Sequence, residues 1–235
     1  MKKFGLVGGV GYVSTLEYYK LINEGYQKRS THHSKSGENP PMTIESLNLA
    51  EAYAIVNRKD WKALTKLCAD AVAILHGAGA EFAAIAANTA HIVFDEIQKE
   101  SKIPLIGIVD ETCKSAKAQG LSKLVIFGTA FTMNSGMYEA KCAQYGLEAV
   151  VPDEEDKKKI HDIIFPNLEA GVVLEDEKRA LLDIAGNMIK KHNADGLVLG
   201  CTELPLAIKT GDLGVALLDT GIIHVEAILD YLFSQ

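Results

Sequence analysis

Two polar motifs carry the side chains best suited to proton-transfer chemistry. Residues 88–91 are Asn-Thr-Ala-His and residues 200–203 are Gly-Cys-Thr-Glu, and each motif follows an aliphatic run typical of a buried strand. Hydroxyl and amide donors therefore lie at strand-to-helix turns, where the N–H groups of a helix N-terminus also favour an anion. The same location lowers a cysteine pKa, so Cys201 is predicted to be a reactive thiolate rather than a buried, inert thiol.

Two further turns offer candidate donors. Residues 8–11, Gly-Gly-Val-Gly, follow the first aliphatic run, but Ser14 stands where a dinucleotide fingerprint requires its third glycine. This segment is either a tight turn or a carboxylate cradle made of backbone N–H groups and the hydroxyls of Ser14 and Thr15. Ser14 and Glu17 also predict a capping box at the start of the next helix. Residues 128–135 are a hydroxyl-rich counterpart that suits either a carboxylate or a helix cap.

The composition and the net charge argue against several classes of protein and of binding partner. The 235 residues are 48% hydrophobic, which allows a substantial core, and 31 acidic against 24 basic residues give a formal net charge of −7. This sign argues against nucleic acid or an anionic membrane as partner, although a locally positive site can still bind an anionic substrate. No apolar run in the sequence approaches the ~20 residues that a transmembrane helix requires.

The cysteine and histidine spacing argues against a disulfide framework and against a metal site. The four cysteines are scattered and form no CxxC pair, so we expect reduced thiols in a cytoplasmic protein. Cys68, Cys113 and Cys142 fall in predicted helices, where packing explains them. His32 and His33 have no partner at a metal-ligating spacing, so their polar segment is predicted to be a solvated loop.

Aliphatic runs alternate with helical periodicity along the chain. The eight candidate strands are residues 3–8, 42–47, 81–86, 103–108, 123–128, 147–151, 196–200 and 215–218. Helices are predicted between them, most clearly at 61–76, 174–192 and 222–233. This alternation predicts an α/β fold of parallel sheets with helices on both faces.

An internal repeat indicates two similar α/β halves. The aligned segments are 80–87 with 194–201, and 4–9 with 124–129. Any two buried strands look somewhat alike, but duplication is the favoured interpretation. It predicts a pseudo-two-fold relation between the halves, with an active-site cleft between them at the carboxyl ends of their strands. The alignment pairs Ala87 with Cys201.

These motifs, in this order and spacing, resemble the aspartate/glutamate racemase family of the Asp/Glu/hydantoin racemase superfamily over essentially the whole chain. The resemblance implies two similar α/β domains, a homodimer, no pyridoxal phosphate or other cofactor, and a small amino acid or dicarboxylate held between the domains. It also implies two cysteines facing each other across the substrate. One takes the α-proton as a thiolate, and the other returns a proton to the opposite face.

The resemblance also implies domain boundaries and site residues. Because the family exchanges its last strand between the halves, the first domain is predicted at 1–98 plus 212–235 and the second at 99–211. Cys201 matches the second catalytic cysteine, and Ala87 occupies the position of the first. Glu203 is predicted to orient the thiol or to contact the substrate amine. The other predicted substrate-binding residues are Asn88, Thr89, Thr129 and Thr202, with weaker matches at Asn48 and Lys158.

Ala87 departs from the family pattern at a catalytic position, because a methyl group cannot carry a proton. One explanation is a cysteine replaced to inactivate the enzyme. A second is a natural one-base racemase in which water, Thr89 or His91 serves the other face. A third is altered chemistry, for which the one-cysteine arylmalonate decarboxylases of the same superfamily are a precedent. A fourth is a dicarboxylate-binding protein without catalysis.

The sequence therefore predicts a cofactor-independent racemase or epimerase of an acidic amino acid, of the aspartate or glutamate type. Cys201 abstracts the α-proton, and the reaction is impaired or one-sided because Ala87 replaces the partner cysteine. The alternatives are a one-cysteine decarboxylase or isomerase of a small dicarboxylate, and a non-catalytic binding protein. His91 is predicted to be either a proton relay or a core histidine.

Overall fold

The computed structural model describes residues 2–30 and 38–234 of the chain. His32 and His33, with the solvated loop predicted around them, lie outside the described residues. Across the two described ranges, no helix is both long enough and apolar enough to cross a membrane.

The described ranges contain eight β-strands and eleven α-helices. The strands are β1 (Phe4–Gly8), β2 (Met42–Ser46), β3 (Phe82–Ile85), β4 (Leu105–Ile106), β5 (Lys123–Phe127), β6 (Glu148–Val150), β7 (Gly196–Leu199) and β8 (Ala216–Asp219). The helices are α1 (Tyr12–Arg29), α2 (Leu49–Asn57), α3 (Trp61–Gly77), α4 (Phe94–Glu100), α5 (Ile108–Ala118), α6 (Ala130–Asn134), α7 (Met137–Gln144), α8 (Glu154–Ile164), α9 (Glu175–His192), α10 (Leu204–Ala207) and α11 (Thr220–Phe233). All eight predicted strands are confirmed, although their ends move.

The strands form two four-stranded sheets with the same internal order. The first sheet runs β2-β1-β3-β4 and the second runs β6-β5-β7-β8, and every neighbouring pair is parallel. Parallel neighbours need long crossover connections, which the helices provide. The predicted α/β fold with two similar halves is confirmed, since β1 and β3 hold the places in the first sheet that β5 and β7 hold in the second.

The chain divides into two compact units, and their boundaries differ from those expected. Unit 1 comprises Met1–Ile108 and His224–Gln235, and unit 2 comprises Val109–Ile223. The expected boundaries at 98 and 212 fall too early, because β4 pairs with β3 in the first sheet and β8 pairs with β7 in the second. The last strand is therefore not exchanged between the sheets. Instead the chain returns to unit 1 within α11.

Unit 1 has a core between α1, the first sheet and α11. Its fully buried members include Phe4, Leu6, Tyr18, Ile22, Phe82, Ile228 and Leu229. Gly25 lets α11 lie close to α1, because an added Cβ at this position would overlap Leu229. Tyr18 and Ile22 are buried on α1, whereas Leu16 and Tyr19 are exposed.

Unit 2 has its own core between the second sheet, α8 and α9. Its buried members include Val125, Phe127, Ile160, Leu181, Leu197 and Leu199. Cys113 and Cys142 are buried in this unit with their Sγ atoms 3.5 Å apart, and Cys68 is buried on α3 of unit 1. These three cysteines therefore pack in helices, as predicted.

Helix α1 begins at Tyr12, and its N-cap is Gly11, three residues before the predicted N-cap Ser14. Ser14 consequently lies in the first turn, where its hydroxyl donates to the carbonyl of Ala86 at 2.9 Å. The Thr15 hydroxyl accepts the N–H of Gly9 at 2.9 Å. The predicted capping box is wrong. The N–H of Gly9 and the hydroxyl of Ser14, which the carboxylate cradle would need as donors, are both hydrogen-bonded within unit 1. The structure therefore favours the tight-turn interpretation of residues 8–11.

Gly9 is the residue on which this turn depends. Its φ is +82°, and an added Cβ would overlap the backbone of Leu47. We expect Gly9→Ala to lower the free energy of unfolding by about 3 kcal/mol or more, because left-handed strain and a backbone overlap act together. Urea unfolding measures the loss. Gly11→Ala is the matched control, since Gly11 shares a φ of +88° but its Cβ would meet only Ser14 at 3.8 Å. Equal losses in the two variants would contradict the overlap with Leu47.

Candidate functional site

Cys201 and Ala87 occupy the same place relative to their own sheets. Strand β7 ends at Leu199 and β3 ends at Ile85, so each residue is the second after its strand. The two strands are third in their respective sheets. This equivalence supports the alignment that pairs Ala87 with Cys201.

The thiol of Cys201 is held by Glu203. Its Sγ donates a hydrogen bond to Oε2 of Glu203 at 2.8 Å, and Glu203 is only 9% exposed. Gly200 allows the sharp exit from β7, since a Cβ there would lie 2.8 Å from the carbonyl oxygen of Phe127. A carboxylate in this position can fix the thiol rotamer and exchange a proton with it.

The pKa of the Cys201 thiol is raised well above its ordinary value, which is opposite to the effect expected from the sequence. Burial is the largest cause, followed by the negative charge of Glu203 and its hydrogen bond to the thiol. The expected lowering by a helix N-terminus is small, because α10 contains only the four residues Leu204–Ala207. This shift favours the protonated thiol, so Cys201 requires a proton acceptor before it can act as a base.

A second carboxylate, which the sequence analysis missed, adds negative charge around the thiol. Glu169 lies in a 3₁₀ helix, Leu168–Ala170, that contacts α10. Its pKa is raised by burial and by the charge of Glu203, and its own charge contributes to the raised pKa of Cys201. No sequence motif marks Glu169, because only tertiary packing brings it near the thiol.

The hydroxyl-rich turn after β5 caps a helix. Thr129 is the N-cap of α6, and its Oγ1 accepts the N–H of Thr132 at 3.3 Å. Lys157 of α8 is buried, and its ammonium donates to Oδ1 of Asn134 at 2.7 Å. Lys158 is exposed and paired with a carboxylate one turn later, so the structure does not bring it to this turn. Lys157 lies at this turn instead.

The Ala87 turn combines small and polar residues. Ala87 and Thr89 are half-buried and Asn88 is buried. Thr89 begins a 3₁₀ helix, Thr89–Val93, and also borders a small apolar cavity in unit 1. Asn48 is exposed at the start of α2, where its side-chain oxygen accepts a backbone N–H at 3.0 Å, so this residue is used as a helix cap.

Both ring nitrogens of His91 have hydrogen-bond partners, and one of these partners belongs to the Ala87 turn. Its Nδ1 is 2.8 Å from the carbonyl oxygen of Ala87, and its Nε2 accepts the N–H of Ile108 at 3.0 Å. Burial lowers the pKa of His91 to about 4. The structure therefore favours the core interpretation of His91 over the proton relay.

The structure groups the candidate residues by unit. In unit 2 the group around the thiol consists of Cys201, Thr202, Glu203 and Glu169, and Thr129 lies in the turn after the adjacent strand. In unit 1 Asn88 and Thr89 adjoin Ala87. Over residues 2–30 and 38–234, no cluster of three or more His, Cys, Asp or Glu side chains is suited to hold a metal ion.

Comparison with known protein families identifies the family of this chain. A family model described as Asp/Glu/hydantoin racemase matches residues 7–228. The chain belongs to this family. The matched residues include both Ala87 and Cys201, so both turns lie within the family's shared region.

Relatives and solved structures agree with this membership. The broad specificity amino-acid racemase RacX of Bacillus subtilis (strain 168) is 26% identical over 200 residues, which are 85% of this chain and 85% of RacX. The crystal structure of an aspartate racemase homologue from Pyrococcus horikoshii OT3 is 35% identical with a TM-score of 0.88, and the match covers 100% of both chains. The crystal structure of arylmalonate decarboxylase is 11% identical with a TM-score of 0.59, covering 99% of this chain and 93% of that one, and it shares the fold alone. Family membership supports an isomerase of the amino-acid racemase kind.

Proposed function

We propose that this protein removes the α-proton of an acidic amino acid, of the aspartate or glutamate type, through Cys201. The observation that carries the proposal is the hydrogen bond from Sγ of Cys201 to Oε2 of Glu203 at 2.8 Å. It joins a thiol to a carboxylate that can accept its proton, beyond the carboxyl end of a parallel strand, where open α/β sheets bind ligands. Membership of a racemase family supports the amino-acid substrate class.

The raised pKa of the thiol determines the order of the steps. The substrate ammonium binds near Glu203 and Glu169, where its positive charge offsets the negative charges that keep the thiol protonated. Glu203 accepts the thiol proton, and the thiolate then removes the α-proton. The electron pair of the broken Cα–H bond stays on the substrate and is delocalised into its carboxylate. Return of a proton from the thiol restores the amino acid.

Donors to the substrate carboxylate lower the energy of the carbanion, because negative charge develops on that group. We assign Thr202 to it, since Thr202 adjoins Cys201 and is partly exposed. Asn88, Thr89 and Thr129 are proposed to bind the remaining polar groups of the substrate. These three assignments rest on their match to the family's binding positions.

Ala87 makes the proposed reaction one-sided. A single thiol serves one face of the α-carbon, and the methyl group of Ala87 cannot serve the other. We therefore expect exchange of the α-proton of one enantiomer without inversion. The proposed chemistry requires no pyridoxal phosphate, because a thiolate acts directly on the free amino acid.

A one-cysteine decarboxylase is the second candidate, and the protonated state of Cys201 favours it. When a substituted malonate loses carbon dioxide, the electron pair of the broken C–C bond forms an enolate. A thiol that is already protonated can donate to this enolate without a preceding deprotonation. The two candidates share protonation by Cys201 and differ in the release of carbon dioxide.

Proton NMR in D₂O tests both candidates. The protein is incubated separately with L- and D-aspartate, L- and D-glutamate and a substituted malonate. We expect loss of the α-proton signal from one enantiomer, with its handedness unchanged on chiral chromatography. Cys201→Ser keeps a donor to Glu203 but cannot form a comparable anion, so exchange is expected to fall by about 10²- to 10⁴-fold. Cys68→Ala removes a thiol buried in α3 of unit 1 and is the matched control.

Three other outcomes have distinct meanings. Release of carbon dioxide from the malonate without α-proton exchange would favour the decarboxylase. Exchange that persists in Cys201→Ser would contradict both catalytic candidates. Saturable binding of an acidic amino acid without either reaction would indicate a binding protein.

A further inference from the structure

Unit 1 contains a pair of buried histidines that the proposed reaction does not use. His91 is 7% exposed and His224 is 0% exposed, and their ring centroids are 6.1 Å apart in an edge-to-face arrangement. Every ring nitrogen of the pair has a partner within unit 1. Tyr18 and the segment 106–108 provide three of these partners, and Ala87 provides the fourth.

The chemistry of the partners fixes the proton on each ring. A carbonyl oxygen only accepts, so Nδ1 of His91 carries the proton that it donates to Ala87, and Nε2 accepts from Ile108. For the same reason Nε2 of His224 donates to the carbonyl of Ile106 at 2.8 Å, and its Nδ1 accepts the hydroxyl proton of Tyr18 at 2.8 Å. The two histidines therefore adopt opposite tautomers.

Both rings are neutral. Burial is the largest cause that lowers the pKa of His91 to about 4 and that of His224 to about 3. Each ring faces the other, and the Tyr18 hydroxyl faces His224. Neither histidine is therefore a proton shuttle near neutral pH, and each acts as a fixed donor and acceptor.

The pair holds one short segment of backbone in place. His224 binds the carbonyl of Ile106, and His91 binds the N–H of Ile108. Gly107, between them, lies against the ring of Phe94, since an added Cβ would be 2.9 Å from Cζ of that ring. Phe94 in turn stacks on His91 with ring centroids 5.0 Å apart. The segment is thus fixed by two hydrogen bonds and by a ring that packs on one of the two histidines.

The segment 106–108 lies where the chain leaves unit 1. Unit 1 ends at Ile108 and resumes at His224, so both points where the chain passes between the units adjoin the histidine pair. A third hydrogen bond, from Nδ1 of His91 to the carbonyl of Ala87, connects the same pair to the turn that carries residues 87–89.

We propose that His91 is a positioning residue for the proposed reaction, because its imidazole fixes the carbonyl of Ala87, and with it Asn88 and Thr89, relative to the backbone at 106–108. This inference rests on the proposed function for its catalytic consequence. Its structural part stands on the four hydrogen bonds alone. His91 does not touch the substrate, since it is buried and both of its nitrogens are occupied.

Two near-isosteric variants separate the two bonds of His91. The amide nitrogen of Asn in His91→Asn can replace Nδ1 and keep the bond to Ala87, while the bond to Ile108 is lost. The amide oxygen of Gln in His91→Gln can replace Nε2 and keep the bond to Ile108, while the bond to Ala87 is lost. Both variants lose the same ring and differ from each other by one methylene, so the loss of the ring itself is common to the two.

Hydrogen–deuterium exchange of the peptide containing residues 87–90 is the first measurement. We expect exchange in His91→Gln to be about tenfold faster than in His91→Asn, because the lost hydrogen bond is the one that holds this turn. The KM for the exchanged amino acid is expected to rise about tenfold in His91→Gln and to stay within about threefold in His91→Asn. In the unmodified protein, long-range proton–nitrogen NMR is expected to show the two opposite tautomers.

The two proposals fail in different ways. If the unmodified protein neither binds nor exchanges any acidic amino acid, the proposed function fails, and the difference in hydrogen exchange still tests the positioning of the turn. If His91→Asn and His91→Gln show equal exchange at residues 87–90, the positioning role is overturned, even where α-proton exchange is present. Equal losses of melting temperature with equal KM would assign His91 to stability alone.

Discussion

Replacing Ala87 by cysteine is expected to convert one-sided α-proton exchange into racemisation. Inversion requires a second group that delivers a proton to the other face of the α-carbon, and position 87 is the counterpart of Cys201 in its own sheet. A positioned acid or base contributes about 10²- to 10⁴-fold, so the inversion rate is expected to rise at least 10²-fold. Chiral chromatography of the recovered amino acid measures inversion, and proton NMR in D₂O measures exchange in the same sample.

Ala87→Ser is the matched control for this gain. It adds a side chain of similar size whose hydroxyl is a far weaker acid than a thiol, so inversion should remain near the level of the unmodified protein. Ala87→Cys combined with Cys201→Ala tests the reverse arrangement, in which only unit 1 carries a thiol. A folded Ala87→Cys protein that exchanges the α-proton without inverting it would contradict a two-thiol role for position 87.

The fold was predictable because its signals are local. The aliphatic runs of the strands are short and contiguous, and the glycine turns that end them stand directly in the sequence. The repeat could be recognised for the same reason, since β3 and β7 place Ala87 and Cys201 at the same distance from the strand end. The boundary of unit 1 was harder to predict from the sequence. Its position depends on which sheet accepts β4 and β8, and strand pairing is a long-range property.

The electrostatics of the site could not be predicted from the motif. The motif draws attention to Cys201, but the sign of the pKa shift of its thiol depends on burial, on the orientation of the Glu203 side chain and on the packing of Glu169. A helix N-terminus would lower the pKa, yet α10 is too short to outweigh two carboxylates and burial. The same limitation applies to the α8 lysines, since adjacent residues on a helix point in different directions and only packing shows which is buried.

The two units have diverged in how they treat equivalent turns. In unit 2 the second residue after the strand is a thiol held by Glu203 and influenced by Glu169. In unit 1 the equivalent residue is an alanine whose carbonyl is held by the neutral ring of His91. One turn is therefore organised around a side chain that we propose exchanges a proton, and the other around a backbone that is held in place. Under the proposed function, this asymmetry makes the reaction one-sided.

Glu203→Gln is expected to have opposite effects on the reactivity of Cys201 and on α-proton exchange. Removal of the carboxylate charge lowers the pKa of Cys201 toward its ordinary value, because that charge and its hydrogen bond both disfavour the thiolate. Each unit of pKa corresponds to about tenfold in thiolate, so alkylation by iodoacetamide at pH 8 is expected to accelerate about tenfold or more. Exchange of the α-proton at pH 7 is expected to fall, because the proposed acceptor of the thiol proton is gone.

The pH profile distinguishes this account from a simple structural effect. In Glu203→Gln, exchange should recover as the pH rises toward the pKa of the freed thiol, because free thiolate then forms without an internal acceptor. Glu169→Gln should accelerate alkylation less, since Glu169 is the more weakly acting carboxylate on Cys201. Glu155→Gln removes a charge from the exposed start of α8 and should change neither rate. If alkylation and exchange both fell in Glu203→Gln and stayed low at high pH, the carboxylate would only hold the turn together. Proton transfer from Cys201 to Glu203 would then be excluded.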